Sequence, residues 1–186
     1  MAEASINLLE EIDRISKIRE LQNEDIDDLL LSFAKRVTGT LGIERNSVWL
    51  FNEAKNAIVS LGEFDLRDNS FKKGTNLYEK DFPHYFKALY ENKILLAPDM
   101  INDPKTFEFT AAYTKPNDIV SLMDIPLRIR GEIIGVMCFE KTGKIQRIFS
   151  DKEQTFAFSL SLVFSSNLEA RHRIAIQYKL EKALKE

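Results

Sequence analysis

Hydrophobic positions near the start of the chain recur with a helical period. Leu8, Ile12, Ile15 and Ile18 stand among charged residues at spacings of four, three and three, which predicts an amphipathic helix within residues 3–21. Asn23 or Asp25 would cap a second helix reaching about Leu41, with Ile26, Leu29, Leu30, Phe33 and Val37 on its buried side. Gly42 would end it in the left-handed conformation. The period then shortens. Residues 47–51 (SVWLF) are apolar and aromatic, as in a strand buried on both faces, and 57–64 read as the hairpin partner across 52–56. The polar run 65–76 reads as loop. Asp81 is placed to cap a helix with Pro83 in its first turn, and Phe82, Phe86 and Leu89 follow at i, i+4 and i+7. Residues 93–97 form a short strand and 98–104 (PDMINDP) a turn-rich loop. Asp103-Pro104 then opens a short helix bearing Phe107, Phe109 and Tyr113.

Two apolar runs, SLMDIPLRI and EIIGVMCFEK, meet across Arg130-Gly131 and predict a β-hairpin with Ile129 opposite Glu132. Uninterrupted pairing sets Leu127 against Ile134, Ile125 against Val136 and Met123 against Cys138, all on one dry face. The other face carries Leu122, Asp124 and Pro126 opposite Phe139, Met137 and Gly135. A slip of one residue would exchange the faces. Asp124 on a central strand needs hydrogen bonds, a cation or a wet cavity. It either bonds to nearby backbone or a surface cation, or lines a pocket under the Phe82 and Phe107 helices. A catalytic role would need a second tuned partner, and none is identifiable. After this hairpin, 151–186 read as one helix of roughly 35 residues. The element order predicts an α+β domain, a mainly antiparallel sheet with helices on both faces.

Composition narrows the function. The chain has 186 residues, enough for one domain with an appended helix, and its 13 phenylalanines supply a sizeable core. A net charge of −3 argues against nucleic-acid binding. No run is long enough to span a membrane and no signal-peptide pattern opens the chain, so a cytoplasmic setting is expected. The one cysteine, Cys138, forbids an internal disulfide or a multi-thiolate metal site, and it reads as a buried, inert thiol on the dry face. His84 and His172 are far apart, and each is expected to face solvent.

The stretches SLMDIPLRIRGEIIGVMCFEK, RIFSDKEQTFAFSLSLVFSSNLE and PDMINDPKTF together resemble a GAF domain. The likeness spans about 24–170 and is most specific from 94 to 168. It implies a six-stranded antiparallel sheet with terminal helices on one face and, on the other, the helices and loops of a ligand pocket. Members are regulatory modules, often dimeric, found in cyclases, phosphodiesterases, histidine kinases and transcription activators. Against the cyclic-nucleotide-binding pattern, Lys141 and Phe149 match, Glu153 is an acidic substitute, and Glu140 and Gln154 depart. A Lys141–Glu153 ion pair would serve that function, whereas Ser150 and Glu153 also form a capping box for the last helix. Bilin, haem and sulfoxide-reductase roles lack the cysteine and histidine pattern they require, so the cofactor stays unknown, with no haem, bilin or metal expected.

The expected organisation is an N-terminal signalling helix at 1–22, the domain itself at 23–170 and a helical extension at 171–186. The first half of the last helix, FAFSLSLVF, is apolar nearly all round, which predicts burial on two sides. Leu160, Val163, Asn167, Ala170, Ile174, Gln177 and Leu184 continue at roughly heptad spacing, interrupted by Asn167, Gln177 and Glu181, which reads either as a parallel homodimer through the terminal helices or as an ordinary solvated helix end; the dimer is the expectation. The expected function is a non-catalytic sensor for an unidentified small molecule in a signalling protein, such as a two-component histidine kinase. The alternative is a ligand-free dimerisation module of a kinase or cyclase. Candidate pocket residues are Asp124, Phe107, Tyr113, Met137, Phe139, Phe86 and Asp99.

Overall fold

A computed structural model describes residues 7–16 and 26–184. The expected caps Asn23 and Asp25, Ile18 and the boundary near 22 lie outside the described residues. Helices α1 (Leu8–Ser16) and α2 (Ile26–Leu41) follow the predicted periodicity. Strands β1 (Arg45–Phe51) and β2 (Ala57–Asp65) pair antiparallel as expected. The polar run taken for loop carries two short strands, β3 (Ser70–Lys72) and β4 (Asn76–Tyr78), both paired to β2. They are too short for alternation to mark them.

Helix α3 (Pro83–Glu91) begins at its proline, but Phe82 rather than Asp81 occupies the cap position. Strand β5 (Leu95–Ala97) leads through a loop into a 3₁₀ turn (Phe107–Phe109) and a single wider π turn (Thr110–Thr114). Strands β6 (Ile119–Ile129) and β7 (Glu132–Thr142) form the long hairpin, and α4 (Asp151–Ala183) closes the chain. Among the described residues the sheet therefore has seven strands, six of them in the order β3-β2-β1-β7-β6-β5, with β4 beside β2. No described helix is long and apolar enough to cross a membrane.

Each face of this sheet has its own core. On one face Phe33 and Val37 of α2 and Phe156, Leu160 and Phe164 of α4 pack on Val48, Met123, Ile125, Leu127, Met137 and Phe139. On the other, Tyr85, Phe86 and Leu89 of α3 join Phe109 and Tyr113 over Trp49, Ile58, Leu95, Leu122, Val136 and Cys138.

The β6–β7 hairpin decides which residues reach which core. Arg130 and Gly131 both take positive φ, 51° and 86°, as a tight turn with two left-handed positions demands, and Ile129 pairs with Glu132. Pairing then slips: Arg128 faces Ile133, but Leu127 faces Gly135, leaving Ile134 as the extra residue of a bulge. Beyond it Asp124 pairs with Cys138, Ile125 with Met137 and Met123 with Phe139. The expected faces hold for β6 but are exchanged for β7. Met137 and Phe139 enter the helix-side core, and Cys138 enters the opposite one.

Helix α4 has 33 residues, about 50 Å at 1.5 Å per residue. Its start is fixed by the expected capping box: Ser150 accepts from the Glu153 amide while Glu153 accepts from the Ser150 amide. Among the described residues its first half is buried on one side, with Phe158 and Leu162 exposed on the other. Ile174, Tyr178, Leu180 and Leu184 are also exposed.

At the bulge β7 runs so close to β1 that a Cβ on Gly135 would sit 2.0 Å from the Trp49 carbonyl oxygen. Backbone rather than a flexible side chain blocks the space, so Gly135→Ala should lower stability by roughly 3 kcal/mol. The check is urea denaturation followed by tryptophan fluorescence; an unchanged midpoint would mean that β1 and β7 are not held this tightly.

Candidate ligand pocket

Arg45, Ser47 and Trp49 alternate onto the same face of β1 as Cys138 and Glu140 of β7 and Leu122 and Asp124 of β6. Above them, α3 supplies Tyr85, and the 3₁₀ and π turns supply Phe109 and Tyr113. Their walls, with Ile58, Leu77 and Met100, enclose a cavity of about 10 Å³. That is room for about one water.

The roof is aromatic and interlocked. The Tyr85 and Phe109 rings meet edge to face at 4.6 Å, and Trp49 and Tyr113 at 6.1 Å. Glu108 fastens the two halves of the roof together. Its carboxylate accepts from the His84 amide at the start of α3 at 3.0 Å and contacts His84 Nδ1 at 2.5 Å. An acid at a helix start also complements the helix dipole.

The floor is charged. Arg45 is buried, and its Nε donates to Glu140 Oε2 at 2.9 Å and its Nη1 to Asp65 Oδ2 at 3.0 Å, while Nη2 stands 3.7 Å from Glu63 Oε2. Tyr113 Oη donates to Glu140 Oε1 at 2.8 Å. Arg67 closes the far side of Asp65 with bonds of 3.0 and 2.7 Å. Burial works against the Arg45 charge, yet Glu140 outweighs it and holds the guanidinium firmly protonated. Burial likewise opposes the Asp65 charge, but Arg67 and Arg45 bring its carboxyl down to about 2.

Among the described residues no cation pairs with Asp124. It is 1 % exposed, and its Oδ2 accepts from Tyr85 Oη at 2.6 Å. Oδ1 has no hydrogen-bond partner among the described residues. Burial pushes the carboxyl up to about 7, against the favourable Tyr85 hydrogen bond and the Cys138 thiol. Burial, then Asp124, pushes the Cys138 thiol well above its ordinary range as well.

The sequence-predicted site residues divide. Asp124 and Tyr113 line the cavity. Phe86 is buried in the same core but packs edge to face on Phe51, at 6.0 Å, outside the lining. Phe107 is about half exposed at the roof's rim, 5.4 Å from the His84 ring. Asp99 accepts from Asn102 and stabilises its own loop turn. Met137 and Phe139 lie on the opposite face, because the bulge at Ile134 shifts their parity. Lys141 pairs with Glu44 and Glu153 with Arg147, so the expected Lys141–Glu153 pair does not form.

Sequence reasoning missed Tyr85, Arg45, Glu140 and Cys138. Tyr85 was visible beside the helical stripe without a partner to give it meaning. Arg45 stands just ahead of the apolar run that marked β1. Glu140 and Cys138 share a parity, so both would have followed from placing the bulge.

The GAF domain family profile matches residues 25–167. No curated protein matches the sequence. Among solved structures, the GAF domain of an Acinetobacter phosphoenolpyruvate-protein phosphotransferase superposes with a TM-score of 0.68 at 15% identity, covering 94% of this chain and 99% of that one. The phycocyanobilin-bound GAF domain of a cyanobacterial phytochrome reaches 0.71 at 16% identity, covering 90% and 97%. A free methionine-R-sulfoxide reductase from Neisseria meningitidis, solved with its substrate, reaches 0.69 at 14% identity, covering 94% and 95%. At these identities the likeness is one of fold.

Two consequences are measurable. Asp124 titrates near 7 in the fold and near 3.9 in an unfolded chain, so the native state holds its proton more tightly. Its contribution therefore falls as pH rises from about 4 to about 7 and is flat above. Asp124→Asn should gain stability relative to wild type across that window, reaching about 4 kcal/mol by pH 8, in urea titrations at pH 4.5, 6 and 8. A pH-independent difference would mean that the carboxyl ionises alike in both states. Separately, Arg45→Met should cost roughly 3–5 kcal/mol in the same assay, because Glu140, Asp65 and Glu63 lose their shared cation.

Proposed function

The chain belongs to the GAF domain family, and on that basis we propose that it is a regulatory module sensing a small molecule beneath α3 and passing the pocket's state to its terminal helices. The observation that carries this reading is the alternation along β6. Asp124 faces the cavity with an unpartnered oxygen, while its neighbours Met123 and Ile125 pack in the core containing Phe156, Leu160 and Phe164 of α4. A shift of β6 that accommodates a ligand would change the packing of α4 directly. Such coupling requires a ligand that distinguishes two arrangements of those helices.

In this reading two copies associate through α4, whose exposed Ile174, Tyr178 and Leu180 offer apolar surface. The output would be a histidine kinase or cyclase domain joined to that helix. The chain itself is a non-catalytic part, since its only thiol is buried and its titration is raised, leaving a poor nucleophile. A single unpaired cysteine fits a reducing, cytoplasmic setting. A second reading, a ligand-free dimerisation scaffold, is favoured by the small volume left inside the aromatic roof.

Native mass spectrometry of freshly purified protein separates the two. The sensor should appear as a dimer carrying a small molecule, and release of that molecule should raise amide exchange along the first half of α4. A ligand-free dimer with invariant exchange would identify a scaffold. A monomer at tens of micromolar would remove the dimer from either reading.

A further inference from the structure

We propose that the cavity beneath α3 selects a small organic monocation, an ammonium or methylated ammonium group, seated on Asp124 Oδ1 and walled by the rings of Trp49, Tyr85, Phe109 and Tyr113. The inference rests on the sensing reading above and adds the chemical class of the ligand.

Charge points first to a cation. Among the described residues the cavity wall includes the carboxyls of Asp124 and Glu140 and no lysine, arginine or histidine. The nearest guanidinium, Arg45, already serves Glu140, Asp65 and Glu63, so an anion would find no cation to receive it. Unmet hydrogen bonding points the same way. Both oxygens of Glu140 are satisfied, by Arg45 and Tyr113, and Asp124 Oδ2 is satisfied by Tyr85. Asp124 Oδ1 is buried in the wall with no hydrogen-bond partner among the described residues, and the neighbouring Cys138 thiol, which favours the ionised carboxyl, is only a weak donor. A buried acceptor without a partner is costly, and a charged N–H donor is the group that most strongly relieves it.

The rings complete the match. Aromatic faces carry negative quadrupole density, and several of them around one carboxylate attract an ammonium or methylated ammonium. Size sets the limit: the present space holds about one water, so anything larger than ammonium must lift the roof. The fastening there is the Glu108 contact with His84 at the start of α3.

The binding equilibrium carries a pH signature. The ionisable groups facing Asp124 are Tyr85 on α3, Tyr113 on the π turn, and Cys138 and Glu140 on β7. Both tyrosines and the thiol stay protonated well above neutrality. A cation needs Asp124 ionised, so its affinity should rise about tenfold per pH unit up to about pH 7 and then level off. An anion would show the opposite slope.

The test uses dialysed wild-type protein and the Asp124→Asn variant, each checked for folding by circular dichroism. Methylammonium and tetramethylammonium chloride are compared with sodium chloride at equal ionic strength, and with sodium acetate and neutral methanol. At about ten times its dissociation constant, methylammonium should raise the melting temperature of wild type by about 3 °C over the salt control. Asp124→Asn should lose the shift. Calorimetry between pH 5.5 and 8 should show the tenfold slope. Equal stabilisation by acetate or methanol, a shift that survives Asp124→Asn, or a flat pH profile would overturn the cation assignment while leaving the sensing reading intact. No response to any probe, together with bare protein in native mass spectrometry, would overturn both.

Discussion

Arg45 is the charge around which the pocket side of this domain is organised. Its guanidinium is buried on a central strand and joins carboxylates from both neighbouring strands, Glu63 and Asp65 of β2 and Glu140 of β7. Through Glu140 it also reaches Tyr113, and so the roof. Taking these groups out of water is expensive, and the arrangement persists because nearly every partner is answered by another. The consequence for function is indirect. Three acids use up the one arginine beneath the cavity, so the fourth acid, Asp124, is left with a phenol instead of a cation.

The two faces of the sheet then acquire different physical characters from the same strands. Alternate residues of β6 and β7 pack against α2 and α4 as a dry hydrocarbon core, while the residues between them form an aromatic chamber with acidic groups in its wall. A packed interior transmits displacement poorly by degrees and better by switching between discrete arrangements. A strand shared by both cores is therefore a short route from a buried carboxyl to a 33-residue helix.

Much of this was legible beforehand. The helices announced themselves through period, Pro83 and the Ser150–Glu153 capping box; the long strands through apolar runs; the turn through Arg130-Gly131. The Asp124 side of β6 was assigned correctly because alternation within one strand is local. The matching side of β7 was not, because a bulge leaves no mark in a run such as EIIGVMCFEK. One extra residue at Ile134 reverses the parity of everything beyond it, moving Met137 and Phe139 away from the cavity and bringing in Cys138 and Glu140. Next to that bulge β7 lies so close to β1 that the Trp49 carbonyl leaves Gly135 no room for a side chain.

Sequence alone determined the helices and the longer strands, their order, the α+β class and the family resemblance, since these rest on periodicity, caps and turn chemistry encoded by neighbouring residues; the short strands β3 and β4 left no such mark. It also singled out Asp124 as an acid in need of an explanation. Only tertiary structure decided the explanation. Asp124 and Tyr85 are 39 positions apart, and Arg45 and Glu140 are 95 apart. A hydrogen bond or ion pair across such distances depends on strand register and helix docking, which no local pattern specifies. The carboxyl that looked misplaced in an apolar run is held by a phenol from the opposite layer, with one oxygen still open.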